Sequence, residues 1–288
     1  LVAELCPPGW YNLFCNMKIQ KLKQKYRYSF ILLKELVITE FKLKYQGSVL
    51  GYLWSLLRPL FLFLILYLVF VHFLRVGGDV PHWPVSLLFG IVLWNFFSDI
   101  TTGGLSAIVS RGDVLRKLNF PKYVIVLSSS VSALINLCLN LIVLVVIMFS
   151  ANVHFHLSSL LTPFFILEIF AFGFGIALIL STLYVRFRDI NFIWEVFLQA
   201  LFYGSAVIYP LSMVYDKSAL IAKLFLLNPV AQAIQDARYF LISDKNMTLV
   251  SLTPNVFVRL IPYLVVIAVL SYGIWLFKKR SPYFAEEV

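Results

Sequence analysis

The chain has 288 residues, of which 61% are hydrophobic and 13% charged, with a mean hydropathy of +0.88. Soluble domains are nearer half apolar and a quarter charged, so the composition excludes a soluble globular enzyme, a disordered tail and, despite a net charge of +10, a nucleic-acid-binding domain. What remains is an all-α integral membrane protein that crosses the bilayer several times.

Taken in chain order, residues 1–16 hold Cys6, Cys15 and the turn-forming Pro7-Pro8-Gly9. They are expected to be a non-native or disordered extension ahead of Met17, which Lys18, Lys21, Lys23, Lys25 and Arg27 follow as a basic amino terminus. Residues 17–49 form a cytoplasmic amino-terminal segment. Within it, 28–45 repeats Phe30, Leu33, Val37 and Phe41 at helical spacing, with Glu40 and Lys44 placed to pair. This pattern predicts an amphipathic helix lying along the membrane interface.

A crossing helix needs roughly 20 mainly apolar residues. Six runs qualify within a transmembrane domain at 50–280: 52–74, 85–109, 191–209, 256–277, and the uncharged stretch 123–167, which His154-Phe155-His156 divides in two. The fourth helix continues to about 184, and 281–288 is left as a tail. With the amino terminus inside, 18 of the 24 Lys and Arg lie on the cytoplasmic side. The positive-inside rule therefore predicts both termini in the cytoplasm, and the basic charge faces anionic lipid.

Three connecting segments carry further signals. Ser110-Arg111-Gly112-Asp113 has the spacing of a capping box. It predicts a short helix with Val114, Leu115, Arg116, Lys117 and Leu118, read either as a docking knob for a soluble partner or as an ordinary basic loop. Phe187, Arg188 and Asp189 join the fourth and fifth helices at the inner interface. They read as charge anchors, or as an ion pair or helix cap at an inner mouth. The outer segment 210–255 holds two apolar stretches, 219–227 and 230–242, too short to cross and separated by Asn228-Pro229. Following Pro210, they predict a re-entrant gate hairpin sealed by Leu224, Phe225, Leu227, Ile234 and Tyr239.

Aromatics recur along the spans: Trp54, Phe61 and Tyr67, then Trp94 and Phe97, then Tyr203 and Tyr209. They read as stacking faces for sugar rings in a channel, or as lipid-facing bulk. Catalytic chemistry is absent. No glycine of the 13 precedes a lysine, so the chain has no Walker loop. His154 and His156 lack a third ligand for a metal. Asp99, Glu168 and Glu195 are too isolated to argue for ion coupling.

Four motifs in order on this six-helix plan resemble the membrane subunit of type-2 ABC exporters, in the branch that exports O-antigen polysaccharides and teichoic acids. They are Tyr45-Gln-Gly-Ser-Val-Leu-Gly-Tyr-Leu-Trp54 with Arg58-Pro59-Leu60, Leu115-Arg-Lys-Leu-Asn-Phe-Pro-Lys122, Phe187-Arg-Asp-Ile190, and Val207-Ile-Tyr-Pro210 with Asn228-Pro229. The resemblance covers 28 to the carboxyl end and departs in the residues before Met17 and in Arg58, where some members carry an uncharged residue. It implies a homodimer in a bacterial cytoplasmic (inner) membrane and two copies of an ATP-binding subunit that hold ATP and Mg, this chain having no cofactor of its own. It also implies a lipid-linked glycan as cargo. Export of drugs or lipids by a related permease, an ion-coupled transporter and a membrane-embedded glycosyl- or acyltransferase are the competing readings.

Overall fold

The structure, a computed structural model, describes residues 30–40, 42, 51, 53–73, 80–117, 120–153 and 156–287. Among them every regular element is helical. The predicted extension 1–16, Met17, Phe41, Lys44 and Leu118 lie outside the described residues. Helix α1 spans 30–40. Helix α2 (Leu53–Leu66) runs on as a π-helical stretch, Tyr67–Phe73. Then come α3 (Trp83–Ser110), the short α4 (Gly112–Lys117), α5 (Tyr123–Ser150), α6 (Thr162–Arg186) and α7 (Ile190–Gly204). Four short helices follow: α8 (Ser212–Tyr215), α9 (Ala219–Leu226), α10 (Pro229–Leu241) and α11 (Leu249–Leu252). The long α12 (Val256–Arg280) and the short α13 (Phe284–Glu287) complete the chain.

Among the described residues, four helices are long and apolar enough to cross a membrane: Trp83–Ser110, Tyr123–Ser150, Leu157–Arg186 and Val256–Tyr283. A 28-residue helix is about 42 Å long, more than the roughly 30 Å hydrocarbon core. The other two predicted crossings are also helices. Of these, α2 carries a shorter apolar stretch, Pro59–Phe70, and α7 has 15 residues. The chain is thus a multi-pass helical membrane protein.

Helix α3 is the centre of the bundle. Leu87, Phe89, Ile91, Leu93, Phe97, Ile100, Leu105 and Ile108 are fully buried along it. A helix this largely apolar is covered by its neighbours, and α3 packs against α2, α5, α6, α7 and α10. Helices α6 and α12 cross at a point where both carry glycine. A Cβ at Gly175 would lie 2.8 Å from the Leu270 Cα, and one at Gly273 would lie 2.5 Å from the Gly175 carbonyl oxygen. In lipid, backbone contact of this kind supplies the packing that the hydrophobic effect does not. The side chain in Gly273→Leu meets backbone and cannot be accommodated by a rotamer change. We expect it to push α12 from α6 and destabilise the fold by at least about 1–3 kcal/mol, read as a lowered unfolding midpoint in lipid nanodiscs. An unchanged midpoint would refute the crossing.

Candidate functional site

A cleft of about 540 Å³ with hydroxyl groups in its lining lies between α3 and α5. Asp99, Thr102, Gly103, Ser106 and Ser110 line it from α3, and Ser129, Ser132 and Asn136 from α5. The spacing explains the geometry. Thr102, Ser106 and Ser110 recur every fourth residue, so they share one helix face, with Asp99 three positions before Thr102. Several hydroxyls satisfy their protons on their own helices. Thr102 Oγ1 donates to the Ser98 carbonyl at 2.7 Å and Ser132 Oγ to the Ser128 carbonyl at 2.9 Å. Their oxygen lone pairs remain able to accept from a polar cargo.

One end of this cleft is held by an ion pair. Arg111 Nη2 lies 2.8 Å from Glu40 Oε2 of α1, while Nη1 donates to Ser128 Oγ at 2.7 Å. Glu40 therefore pairs across elements with Arg111. The inner face of α1 is Leu33, Leu36 and the buried Val37, packed on the core, while Phe30 is exposed.

The short helix α4 follows Arg111, and its start differs from the expected capping box. Helix α3 continues through Ser110, whose hydroxyl donates back to the Ala107 carbonyl at 3.1 Å. A Ser that remains inside one helix cannot cap the next. Asp113 and Arg116 are exposed, but Leu115 is buried in the core, so it is not available to fill a partner's cleft. Val114 and Lys117 belong to α4; Leu118 lies beyond its described end. The carboxyl-terminal α13 packs against α4. There Lys122 Nζ donates to the Ser281 and Pro282 carbonyls at 2.5 and 3.3 Å and sits 5.9 Å from the Phe284 ring centroid. Burial lowers the Lys122 pKa, with the Glu286 carboxylate opposing.

At the α6–α7 junction, Phe187, Arg188 and Asp189 are all exposed. Arg188 lies over the Tyr184 ring at 5.2 Å and Arg186 over Phe187 at 5.5 Å. Among the described residues the Arg111–Glu40 contact is the ion pair present, and Asp189 makes no side-chain cap bond at α7. The proposed Arg188–Asp189 pair or cap is therefore not formed. An aromatic ring takes the arginine in its place.

At the opposite end of the bundle the predicted break falls where expected. Helices α9 and α10 are separated at Leu227-Asn228, and Asn228 caps α10 by accepting from Val230 N at 3.1 Å. Its Nδ2 donates to Ser205 Oγ at 3.0 Å. Pro229 takes the first helical position, where its missing N–H costs nothing. Residues 229–238 are all buried. Ile234 is fully buried in the core and presents no sealing face, whereas Leu224 is exposed and Phe225 and Tyr239 are half-buried.

What anchors α10 is Arg238, which is fully buried. Helix α7 ends at Gly204, and the chain unwinds through Ser205–Pro210, with Ala206 at a φ of 49°. The carbonyls released by that unwinding face Arg238. Nη1 donates to Ala206 O at 3.0 Å, Nη2 to Val207 O at 2.5 Å, and Nε to Ser86 O of α3 at 2.9 Å. The guanidinium also lies 5.3 Å from the Trp83 ring centroid, and Gln235 Nε2 donates to Ala206 O at 3.2 Å. A Cβ at Gly90 would overlap the guanidinium, so this glycine makes the room.

The expected channel aromatics divide. Trp94 and Phe97 are buried within the core, Trp94 tilted against Phe202 and Phe97 stacked on Phe172. They are packing residues. Trp54, Phe61 and Tyr203 are exposed, Tyr67 is half-buried, and the Tyr209 hydroxyl donates to the Tyr203 carbonyl. Sequence reasoning missed both the hydroxyl cleft and Arg238. The four-residue repeat of hydroxyls on α3 was a legible signal for the first. An arginine among apolar residues in 230–242 was a weaker signal for the second.

The O-antigen export system permease protein RfbA of Myxococcus xanthus is 33% identical over 212 residues, 74% of this chain and 80% of the relative. Two proteins of the same name from Klebsiella pneumoniae are each 30% identical, over 215 and 216 residues, covering 74% of this chain and 81% and 82% of theirs. Residues 31–242 match the ABC-2 type transporter family, and the chain belongs to that family.

Proposed function

We propose that this chain is the membrane subunit of an ATP-driven exporter that moves a lipid-linked polysaccharide, of O-antigen type, across the bacterial cytoplasmic membrane. The observation that carries the cargo class is the hydroxyl-lined cleft between α3 and α5. Polar groups buried in a membrane bundle are costly and mark the path of a polar substrate. Serine, threonine and asparagine side chains offer neutral hydrogen-bond partners that suit sugar hydroxyls and let successive sugars slip past. The names of the relatives support the same cargo. Family membership and the missing Walker loop support energy supply from a separate subunit that binds ATP and Mg.

In this reading two copies of the chain work with two ATP-binding subunits. The six apolar helices α2, α3, α5, α6, α7 and α12 each cross the membrane, with both termini in the cytoplasm. The Arg111–Glu40 pair then stands at the cytoplasmic end of the cleft, and α4 faces the ATP-binding partner. The α9–α10 hairpin dips into the outer leaflet as a gate. Its buried α10 and the satisfied carbonyls of 206–207 support this placement, because irregular backbone at membrane depth must be enclosed in protein.

The test is to fill the cleft. Thr102→Phe and Ser106→Phe replace hydroxyls on its α3 wall with bulk. We expect each to lower glycan export about 10-fold or more, roughly 1.4 kcal/mol or more on the transport barrier, while the subunits still co-purify. Normal export by the double variant would remove the cleft from the path and the polysaccharide reading with it.

A further inference from the structure

We propose that Glu168, Asp236, Gln232 and Tyr263 form a binding site for one monovalent cation, a proton or an alkali ion, that fastens α10 to α6 and α12. The site does not depend on which cargo is exported.

The placement is specific. Glu168 comes from α6, Asp236 and Gln232 from α10 and Tyr263 from α12. Glu168, Asp236 and Gln232 are 6%, 5% and 1% exposed. Gln232 Nε2 lies 2.5 Å from Asp236 Oδ2 and 3.1 Å from Tyr263 Oη. Glu168 and Asp236 are close enough to repel each other electrostatically, and both act on Tyr263.

Two observations independent of the acidic pairing point to a ligand. The first is an excess of acceptors. Both Glu168 carboxylate oxygens, Asp236 Oδ1 and the Gln232 amide oxygen are buried without a partner in hydrogen-bond geometry, although the Gln232 side chain lies near enough to Glu168 to favour its charge. Buried polar atoms in folded proteins are almost always satisfied, and a group of orphaned oxygens asks for a donor or a cation. The second is charge. The buried cation of α10, Arg238, is committed to the carbonyls of Ser86, Ala206 and Val207 and offers nothing to the carboxylates. Two carboxylates and one guanidinium in the same buried layer leave one negative charge unbalanced. One bound positive charge removes the imbalance and joins the oxygens of two helices.

The consequence is mechanical. With the cation bound, α10 is fastened between α6 and α12. With it lost, two like charges face each other across the α6–α10 contact and loosen the hairpin. The state of the hairpin is thereby tied to the ionic composition on its side of the membrane.

The experiment is a set of unfolding midpoints for the full chain in lipid nanodiscs, from about pH 5 to about pH 8. Each is taken in sodium chloride and in N-methylglucamine chloride at equal ionic strength. A folded state that holds a proton more tightly than the unfolded chain loses stability as pH rises, so the wild-type midpoint is expected to fall by several degrees in the sodium-free series. Recovery of the midpoint on adding sodium at high pH identifies an alkali ion; a fall indifferent to sodium identifies a proton. Glu168→Gln and Asp236→Asn remove the charges at constant shape and supply N–H donors. Each is expected to weaken the dependence, and the double variant to abolish it while keeping the midpoint at or above the wild-type low-pH value. A wild type insensitive to both variables, or a dependence that persists undiminished in the single or double variants, overturns the site. Cleft-filling variants on α3 leave this readout untouched, so failure of the cargo assignment and failure of the cation site are distinguishable.

Discussion

Replacing Arg238 by methionine is expected to destabilise the protein by about 1.5–3 kcal/mol or more, the worth of hydrogen bonds between a charged group and buried carbonyls. Methionine keeps most of the volume but leaves the Ser86 and Val207 carbonyls without this donor, and Ala206 with Gln235 alone. The Val207 carbonyl, the one left orphaned, costs about 1–3 kcal/mol, while Ser86 keeps its partner within α3. Lysine is not a rescue. Its single ammonium lacks the planar fork that reaches three carbonyls from two elements. Gly90→Ala should produce much of the same loss from the other side, because its methyl occupies the guanidinium's place. The two changes act on one contact, so the double variant is expected to fall well short of the sum. The measurement is the unfolding midpoint in nanodiscs together with protease sensitivity at 205–210. A wild-type midpoint for Arg238→Met would mean that the unwound segment is held by something else.

The helices were legible in the sequence because membrane helices are written in composition. Every long apolar run became a helix, and Asn228-Pro229 broke the outer segment because asparagine caps and proline starts a helix whatever the tertiary context. What depended on tertiary context was not legible. Trp94 and Phe97 carry the same residue types as a stacking ledge, and only the central position of α3 makes them core. The hydrophobicity of Leu115 suggested a partner-facing knob, yet the same property buries it in its own chain. Ser110 had the spacing of a cap but remained in α3, since a serine can equally return its proton to a carbonyl three residues back. A charge count treats every arginine as solvated and so gives no sign that Arg238 is fully buried. Its role appears only when the unwound carbonyls after α7 are seen to need donors.

The position of Leu115 also redirects the expected effects of changes in α4, where two kinds of substitution should separate cleanly. Leu115→Asp places a carboxylate in the core and is expected to disrupt the packing of α4 on α13 and the neighbouring helices. Its unfolding midpoint should drop, as expected when a buried charge has no partner. Its loss of export would then report folding and say nothing of coupling. Asp113 and Arg116 are different, because both are exposed and neither makes an ion pair among the described residues. Reversing them together, Asp113→Lys with Arg116→Glu, keeps the net charge of the helix and should leave the unfolding midpoint within the roughly ±0.5 kcal/mol typical of surface changes. If α4 is the surface read by the ATP-binding subunit, the reversal puts like charges against the partner, a penalty of several kcal/mol. Co-purification of that subunit should fall about 10-fold or more, and export with it, and added salt should partly relieve the defect because exposed charges are screened. Full retention of the ATP-binding subunit by a stably folded double reversal would move the coupling surface away from α4. The α1 segment and the carboxyl-terminal α13, which packs against α4, would then be the surfaces to test.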